Sequence, residues 1–317
     1  MKHTPVLVKE IERLLHIYRN NKVLVEKNIN DINFLKDEIG KVGGQEINEN
    51  WLVDATLGFG GHSVIAQKLG YNVVGIEADE EILEIAKNSL LSEKKPQSQQ
   101  IKLIHGNFRE IDLILKKLEL DLTDVVLIDL GVNNYQLTSE TRGFSFKNES
   151  ADFDMRLDKS GQNIKASDLV NNLRKDQLVE MFSQVLSGGE AIKLAQKIVN
   201  KRDEKKFETV GDFLKLFGKP TGKIHPATKA FLSLRMAVNS EMQNLKEVLP
   251  KAFSVLKKDG LLVVISFHST EDRIVKNFFK EKSNDCVFTK KPIIPTKMEI
   301  DKNPPSRSAK LRILIKK

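Results

Sequence analysis

Short apolar runs alternate with amphipathic stretches along much of this chain. "WLVDATL" (51–57) is an apolar run ending at glycines, the pattern of a buried strand. "HSVIAQKL" follows with helical spacing. "YNVVGIE" (71–77) predicts a second strand, and "DEEILEIAKNSL" a helix with acids in its first turn. "IKLIHG" (101–106) and "DVVLIDL" (124–130) repeat the strand pattern, with the helical "NFREIDLILKKL" between them. Strands and helices taking turns in this way predict a doubly wound parallel sheet. "KDGLLVVISF" (258–267) has the same character but arrives only after a long, mostly helical stretch, and "AKLRILIKK" reads as a last strand. The stretch between, from about Thr138 to Ile224, predicts an insert beside the sheet. Residues 17–50 are polar and read as an added helical piece or loop.

A parallel sheet binds its ligand at the carboxyl ends of its strands. Gly58, Gly60, Gly61 and His62 follow the first strand, and Glu77 ends the second. Asn107 and Phe108 follow the third, Asp129 ends the fourth, and His268 and Ser269 follow the last long one. An acid at the end of the second strand is placed to accept both hydroxyls of a ribose. A dinucleotide fingerprint would need glycine at Ser63, and no Gly-Lys-Ser/Thr completes a phosphate loop. A nucleoside cofactor without a pyrophosphate fits better, and S-adenosylmethionine is the common one. Phe108 would then flank the adenine, and Asp129 the amino group of the methionine part. Each residue also has a plain structural reading: tight turns for the glycines, a helix cap for Glu77, core for Phe108, a loop cap for Asp129. Their shared sheet edge is what favours one pocket.

Composition narrows the class further. One cysteine, Cys286, allows no internal disulfide and fits a reducing compartment. No apolar run reaches the ~20 residues of a membrane span, and the first residues lack a signal-peptide core. A cytoplasmic protein is expected. The net charge of +8, with both signs abundant, permits a polyanionic partner. Arg156 between two acids reads as a structural ion pair, and Lys229 and Arg235 as phosphate contacts or a solvated face. "STED" after His268 has the form of a capping box, which gives Ser269 a structural role and leaves His268 as a candidate base. No His/Cys spacing suggests a metal.

Together, "HTPVLVKE", "DATLGFGGHS", "GIEADEEIL", "HGNF", "DLGVNNYQL", "RGFSF", "DMRLD", "HPATKAFLSLRMAVN", "ISFHSTEDRIVKNFF" and "NPPSRSAKLRI" resemble the MraW/RsmH family of small-subunit ribosomal RNA methyltransferases. The resemblance spans nearly the whole chain in the expected order. It implies a Rossmann-like class I methyltransferase sheet from residues 1–137 and 225–317, with a helical, RNA-recognising insert at 138–224. It implies methyl transfer from S-adenosylmethionine to the N4 amine of a cytidine in the decoding region. The partner is then small-subunit ribosomal RNA, free or in the assembled small subunit. Cofactor contacts carry over to Gly60, Gly61, His62, Glu77, Phe108, Asp129 and Gln136. Asp129, Asn133, Asn134 and His268 become the candidates to accept from the amine, and Arg307, Lys310 and Arg312 to clamp phosphates. The chain departs from the family in carrying Glu77 for Asp and Asn133 and Asn134 for two serines. "GGE" (188–190) stands for a usual Tyr-Gly-Glu-Glu, and 17–50 exceeds the usual link. A non-catalytic or redirected RNA-binding relative is one alternative, and a nucleotide-linked oxidoreductase another. A DNA cytosine-N4 methyltransferase would show a Pro-Pro-aromatic stretch where "DLGV" stands.

Overall fold

Leu261, Val263 and Ile265 pack into one apolar cluster while Leu262 and Val264 pack into another, the alternation of a strand buried on both faces. They belong to a computed structural model that describes residues 5–31, 34–35, 49–92, 99–219 and 225–317. The described residues form two compact units: the chain up to Gly131 together with Gln243–Lys317, and Val132–Met242.

The first unit opens with α1 (Val8–Asn20) and α2 (Lys22–Asn28). Then come β1 (Trp51–Asp54), α3 (Gly61–Lys68), β2 (Asn72–Glu77) and α4 (Glu80–Ser92). β3 (Ile101–His105), α5 (Ile111–Lys117) and β4 (Thr123–Asp129) complete the first half. The second unit holds α6 (Asn134–Thr138), α7 (Ala166–Asn172), α8 (Lys175–Phe182), α9 (Gly188–Glu204), α10 (Val210–Leu214) and α11 (Thr228–Val238). α12 (Glu241–Ser254) returns to the first unit, followed by β5 (Leu256–Ser266), α13 (Ser269–Glu281), β6 (Cys286–Phe288), α14 (Lys297–Lys302) and β7 (Lys310–Lys316).

The seven strands form one sheet in the order β3-β2-β1-β4-β5-β7-β6, and only β7 runs against the others. This is the doubly wound, mostly parallel sheet expected from the sequence. Ile11, Leu14, Leu15 and Tyr18 of α1 cover one face, and Leu245, Val248 and Leu249 of α12 lie in the cluster on the other. β6 was not expected: "CVF" is too short to stand out from a loop, and it pairs only with β7. Of the stretch 17–50, α1 and α2 account for the start, while residues 32–33 and 36–48 lie outside the described residues.

The second unit has its own core around Phe153, Phe182, Phe207, Phe213 and Phe231. It is wider than the expected insert at 138–224. α11, which the sequence reading gave to the sheet, buries Ala230, Phe231 and Leu234 in this helical core instead. The expected end of the insert, at 220–224, lies outside the described residues. Among the described residues no helix is long and apolar enough to cross a membrane.

Candidate active site

The turn after β1 is built by glycines with two different duties. Gly58 (φ 53°) and Gly60 (φ 79°) take left-handed backbone that side chains disfavour. Around Gly58 the space where a Cβ would point is open. At Gly60 a Cβ would come within 2.8 Å of Leu90, and at Gly61 it would overlap Pro5. So Gly60 and Gly61, the two expected to touch a cofactor, have a packing reason to be glycine, and Gly58 has the free face. Asp54 ends β1 fully inside, with Oδ2 accepting from Ser63 Oγ at 2.7 Å and Oδ1 without a hydrogen-bond partner among the described residues. Burial raises its pKa.

Glu77 ends β2 beside this turn. Its Oε2 accepts the Gly58 N–H at 2.8 Å and its Oε1 the Asp79 N–H at 2.9 Å. Burial nonetheless outweighs these bonds and pushes the carboxyl up to about 7. Phe108, half-buried, opens a short 3-10 turn after β3 and packs on the core under the sheet.

His62, on the first turn of α3, is 5% exposed and holds Nε2 3.6 Å from Asp129 Oδ2. Burial works against its charged form, but the carboxylates of Asp129, Asp54 and Glu299 prevail and raise its pKa. Asp129 is steadied from behind: its N–H donates to Thr56 Oγ1 at 2.6 Å. Its Oδ1 is a buried acceptor with no partner among the described residues. Two acids on the strand ends that flank β1, an open glycine face and an unsatisfied carboxylate oxygen thus share one sheet edge. That edge can receive a hydroxylated ring at one end and a cation at the other.

Residues 1–317, the whole chain, match the MraW methylase family. The chain belongs to that family. Relatives named ribosomal RNA small subunit methyltransferase H include one from Sulfurihydrogenibium sp. (strain YO3AOP1), 41% identical over 82% of this chain and 90% of the relative. Another, from Clostridium botulinum (strain Okra / Type B1), is 35% identical over 93% of this chain and 98% of its own. A solved rRNA methylase from Streptococcus thermophilus superposes with a TM-score of 0.40 at 11% identity, covering 84% of this chain and 87% of that one.

In this methylase, the remaining candidates are engaged locally. Asn133 and Gln136 form the capping box of α6: Asn133 Oδ1 accepts the Gln136 N–H, and Gln136 Oε1 accepts the Asn133 N–H, each at 2.9 Å. Asn134, the first residue of α6, is exposed. His268, not Ser269, caps α13: its Nδ1 accepts the Glu271 N–H at 3.4 Å, and its Nε2 lies 3.0 Å from Glu271 Oε1. Nδ1 is thus spent on the cap, while Nε2 makes no hydrogen bond among the described residues. The spacing "STED" suggested a cap one residue too late, because His268 supplies a ring nitrogen where serine would supply a hydroxyl.

Arg312 contradicts its expected part in phosphate clamping. It is 4% exposed and fixed on Asp272, with Nε at 2.6 Å and Nη2 at 3.3 Å. Lys310 reaches the same carboxylate at 3.4 Å, and Arg307 is exposed. Arg156 is the ion pair expected, bidentate on Asp154 at 2.6 and 3.0 Å. Arg235 is bidentate on Glu241 and so is not a free phosphate contact. Three participants escaped the sequence reading. Asp54 was visible before the glycines, but Thr56 and Glu299 carry no pattern that marks them.

Proposed function

We propose that this chain transfers a methyl group from S-adenosylmethionine to N4 of a cytidine in the decoding region of small-subunit ribosomal RNA. The observation that carries the donor assignment is the pair of strand-end acids, Glu77 and Asp129, around an open glycine face. The names of the relatives support the RNA, and the sequence resemblance supports the cytidine amine. Such a substrate puts the activity in the cytoplasm, on free RNA or the assembled small subunit.

The residues fit the donor. Each Glu77 oxygen accepts one N–H and keeps a lone pair for a ribose hydroxyl. Phe108 offers an apolar side to adenine. The unpartnered Asp129 Oδ1 accepts from the methionine ammonium. The bound donor supplies an already activated methyl group, so alignment lowers much of the barrier. The N4 lone pair is delocalised into its ring, so an acceptor near the amine helps by drawing off its proton. Asp129 and Asn134 remain the candidates for that task. Asn133, Gln136 and His268 act as positioning residues, through the helix starts that they cap. Because N4 is stacked in a duplex, the cytidine must be single-stranded or turned out. Mass spectrometry of small-subunit RNA incubated with enzyme and donor tests the proposal. It requires N4-methylcytidine at one site, and methylation elsewhere or not at all overturns it.

Glu77 makes the donor site sensitive to pH. Its carboxyl ionises near 7 in the folded chain, and only the carboxylate accepts from both hydroxyls with full strength. Affinity for S-adenosylmethionine therefore rises between about pH 6 and about pH 8. The same shift favours the protonated folded form, so it lowers fold stability as pH climbs from the ordinary carboxyl range through 7. Calorimetry on Glu77→Gln should lose the Glu77 contribution to the rise and weaken binding by about 1.5–3 kcal/mol. Glu77→Asp should bind nearly as the parent does. A Gln variant with the parent's affinity and pH profile contradicts the role.

The capping box makes a separate prediction. Serine also caps helices, so Asn133→Ser should leave stability within a few tenths of a kcal/mol, while Asn133→Ala should cost about 1 kcal/mol. Thermal melts measure both. Restoring serine at 133 and 134 together should change turnover only modestly and leave donor affinity alone. If product forms only after that swap, the natural sequence is not the enzyme proposed.

A further inference from the structure

A cavity of about 320 Å3 opens beside the amino end of α13, lined by residues that none of the donor contacts includes. Its walls are of two kinds. Phe267, Ile294 and Ile300 give an apolar side, and Arg307, Ser308 and Lys310 a cationic and hydroxylic side. We propose that this cavity is a subsite for one nucleotide of the RNA substrate, with its phosphate on Arg307 and Lys310 and its base against Phe267, Ile294 and Ile300. The inference rests on RNA being the substrate.

Size favours a single nucleotide, because the volume is at the lower end of small-ligand sites, which run from about 300 to 1,000 Å3. The charges favour a phosphate. Asp272 is already met by the bidentate guanidinium of Arg312, so Lys310 at 3.4 Å is a second cation on one carboxylate. Arg307 is exposed and has no acid partner among the described residues. The nearby Glu271 is 1% exposed and spent on the N–H groups of Phe267 and His268. The apolar wall favours a base over a bare anion. Ile294 is 54% exposed, so this apolar wall is open to a ring arriving from solvent. Placement favours a neighbour of the methylated residue. Phe267 lies two residues past Ile265, which pairs in register with Asp129. α14 joins the two regions, carrying Glu299 towards His62 and Ile300 into the cavity wall.

The test uses the full chain, a fluorescent single-stranded fragment of small-subunit RNA, cytidine 5′-monophosphate and inorganic phosphate. Ser308→Trp, which fills the cavity, and Arg307→Ala should each weaken the fragment about tenfold. Arg307→Ala should also lower the salt slope by about one, and Arg307→Lys should recover most of the affinity. Cytidine 5′-monophosphate should compete better than phosphate at equal concentration. S-adenosylmethionine affinity should stay at the parent value, which reports an intact fold. Parent-like RNA affinity in both Ser308→Trp and Arg307→Ala overturns the subsite, as does phosphate competing as well as the nucleotide. Methylation by the parent is scored separately. A parent that methylates RNA while both variants bind normally leaves the enzyme standing and removes the subsite. A parent that does not methylate, with RNA binding lost in both variants, does the reverse.

Discussion

Replacing Asp129 by alanine is expected to cut methyl transfer at least a hundredfold and to weaken S-adenosylmethionine binding with it. Two losses combine. The donor's ammonium loses a carboxylate acceptor whose Oδ1 has no other partner among the described residues, an interaction of about 1.5–3 kcal/mol. His62, buried 3.6 Å from the other oxygen, loses the nearest of its three acids. Truncating one side of a buried charge pair costs about 2–5 kcal/mol, and each 1.36 kcal/mol is a factor of about ten. Asp129→Asn separates shape from charge, since it keeps the volume and the backbone bond to Thr56 but not the charge. It should bind donor almost as poorly as the alanine variant. Calorimetry and single-turnover transfer measure the two effects, and an Asn variant with the parent's donor affinity would remove Asp129 from the site.

Arg312→Ala should unfold the sheet unit more easily by about 1–3 kcal/mol, the cost of leaving the half-buried Asp272 without its main partner. Lys310 offsets part of this, being on the same carboxylate. Burial acts to raise the Asp272 pKa, but Arg312 and Lys310 overcome it and hold the group below its ordinary value. The stabilisation is therefore present above the ordinary carboxyl range and is lost as pH falls through the lowered value. Urea unfolding at neutral and acid pH measures both the penalty and its fading in acid. In Arg312→Lys, which still places a cation on Asp272 and leaves Lys310 spare, RNA affinity should not change. A stable Arg312→Lys with weakened RNA binding would return Arg312 to the phosphate-clamping role.

The strands were legible where apolar runs stop at glycine or acid, as at Asp54, Glu77 and Asp129, because burial on both faces leaves a local mark. β6 left none, being three residues long and paired only with β7. α11 was legible as a helix but not as to which core it joins, since Phe231 would suit either. The site divides in the same way. Strand ends are fixed by the sheet, so Glu77 and Asp129 could be placed without coordinates. Partners could not: Asp272 lies 40 residues from Arg312, and no spacing announces the pair. Glu299 reaches the surroundings of His62 from a helix that begins only at Lys297, with the same result.

The neighbours β4 and β5 are separated in sequence by the entire helical unit, and this sets the order of events during synthesis. When Val238 leaves the ribosome, the helical core has all its residues, while the sheet has only β3, β2, β1 and β4. β4 then presents Val125, Val126, Leu127 and Ile128 along an unpaired edge, the kind that invites pairing with another chain. The helical core needs no residue beyond Val238, whereas the β4–β5 pairing must wait for sequence still to be made. The helical unit therefore closes first, and the open edge of β4 persists until β5 arrives. In the interval a nascent chain is most exposed to association at β4, so crowding of ribosomes on one message is where this fold is most vulnerable.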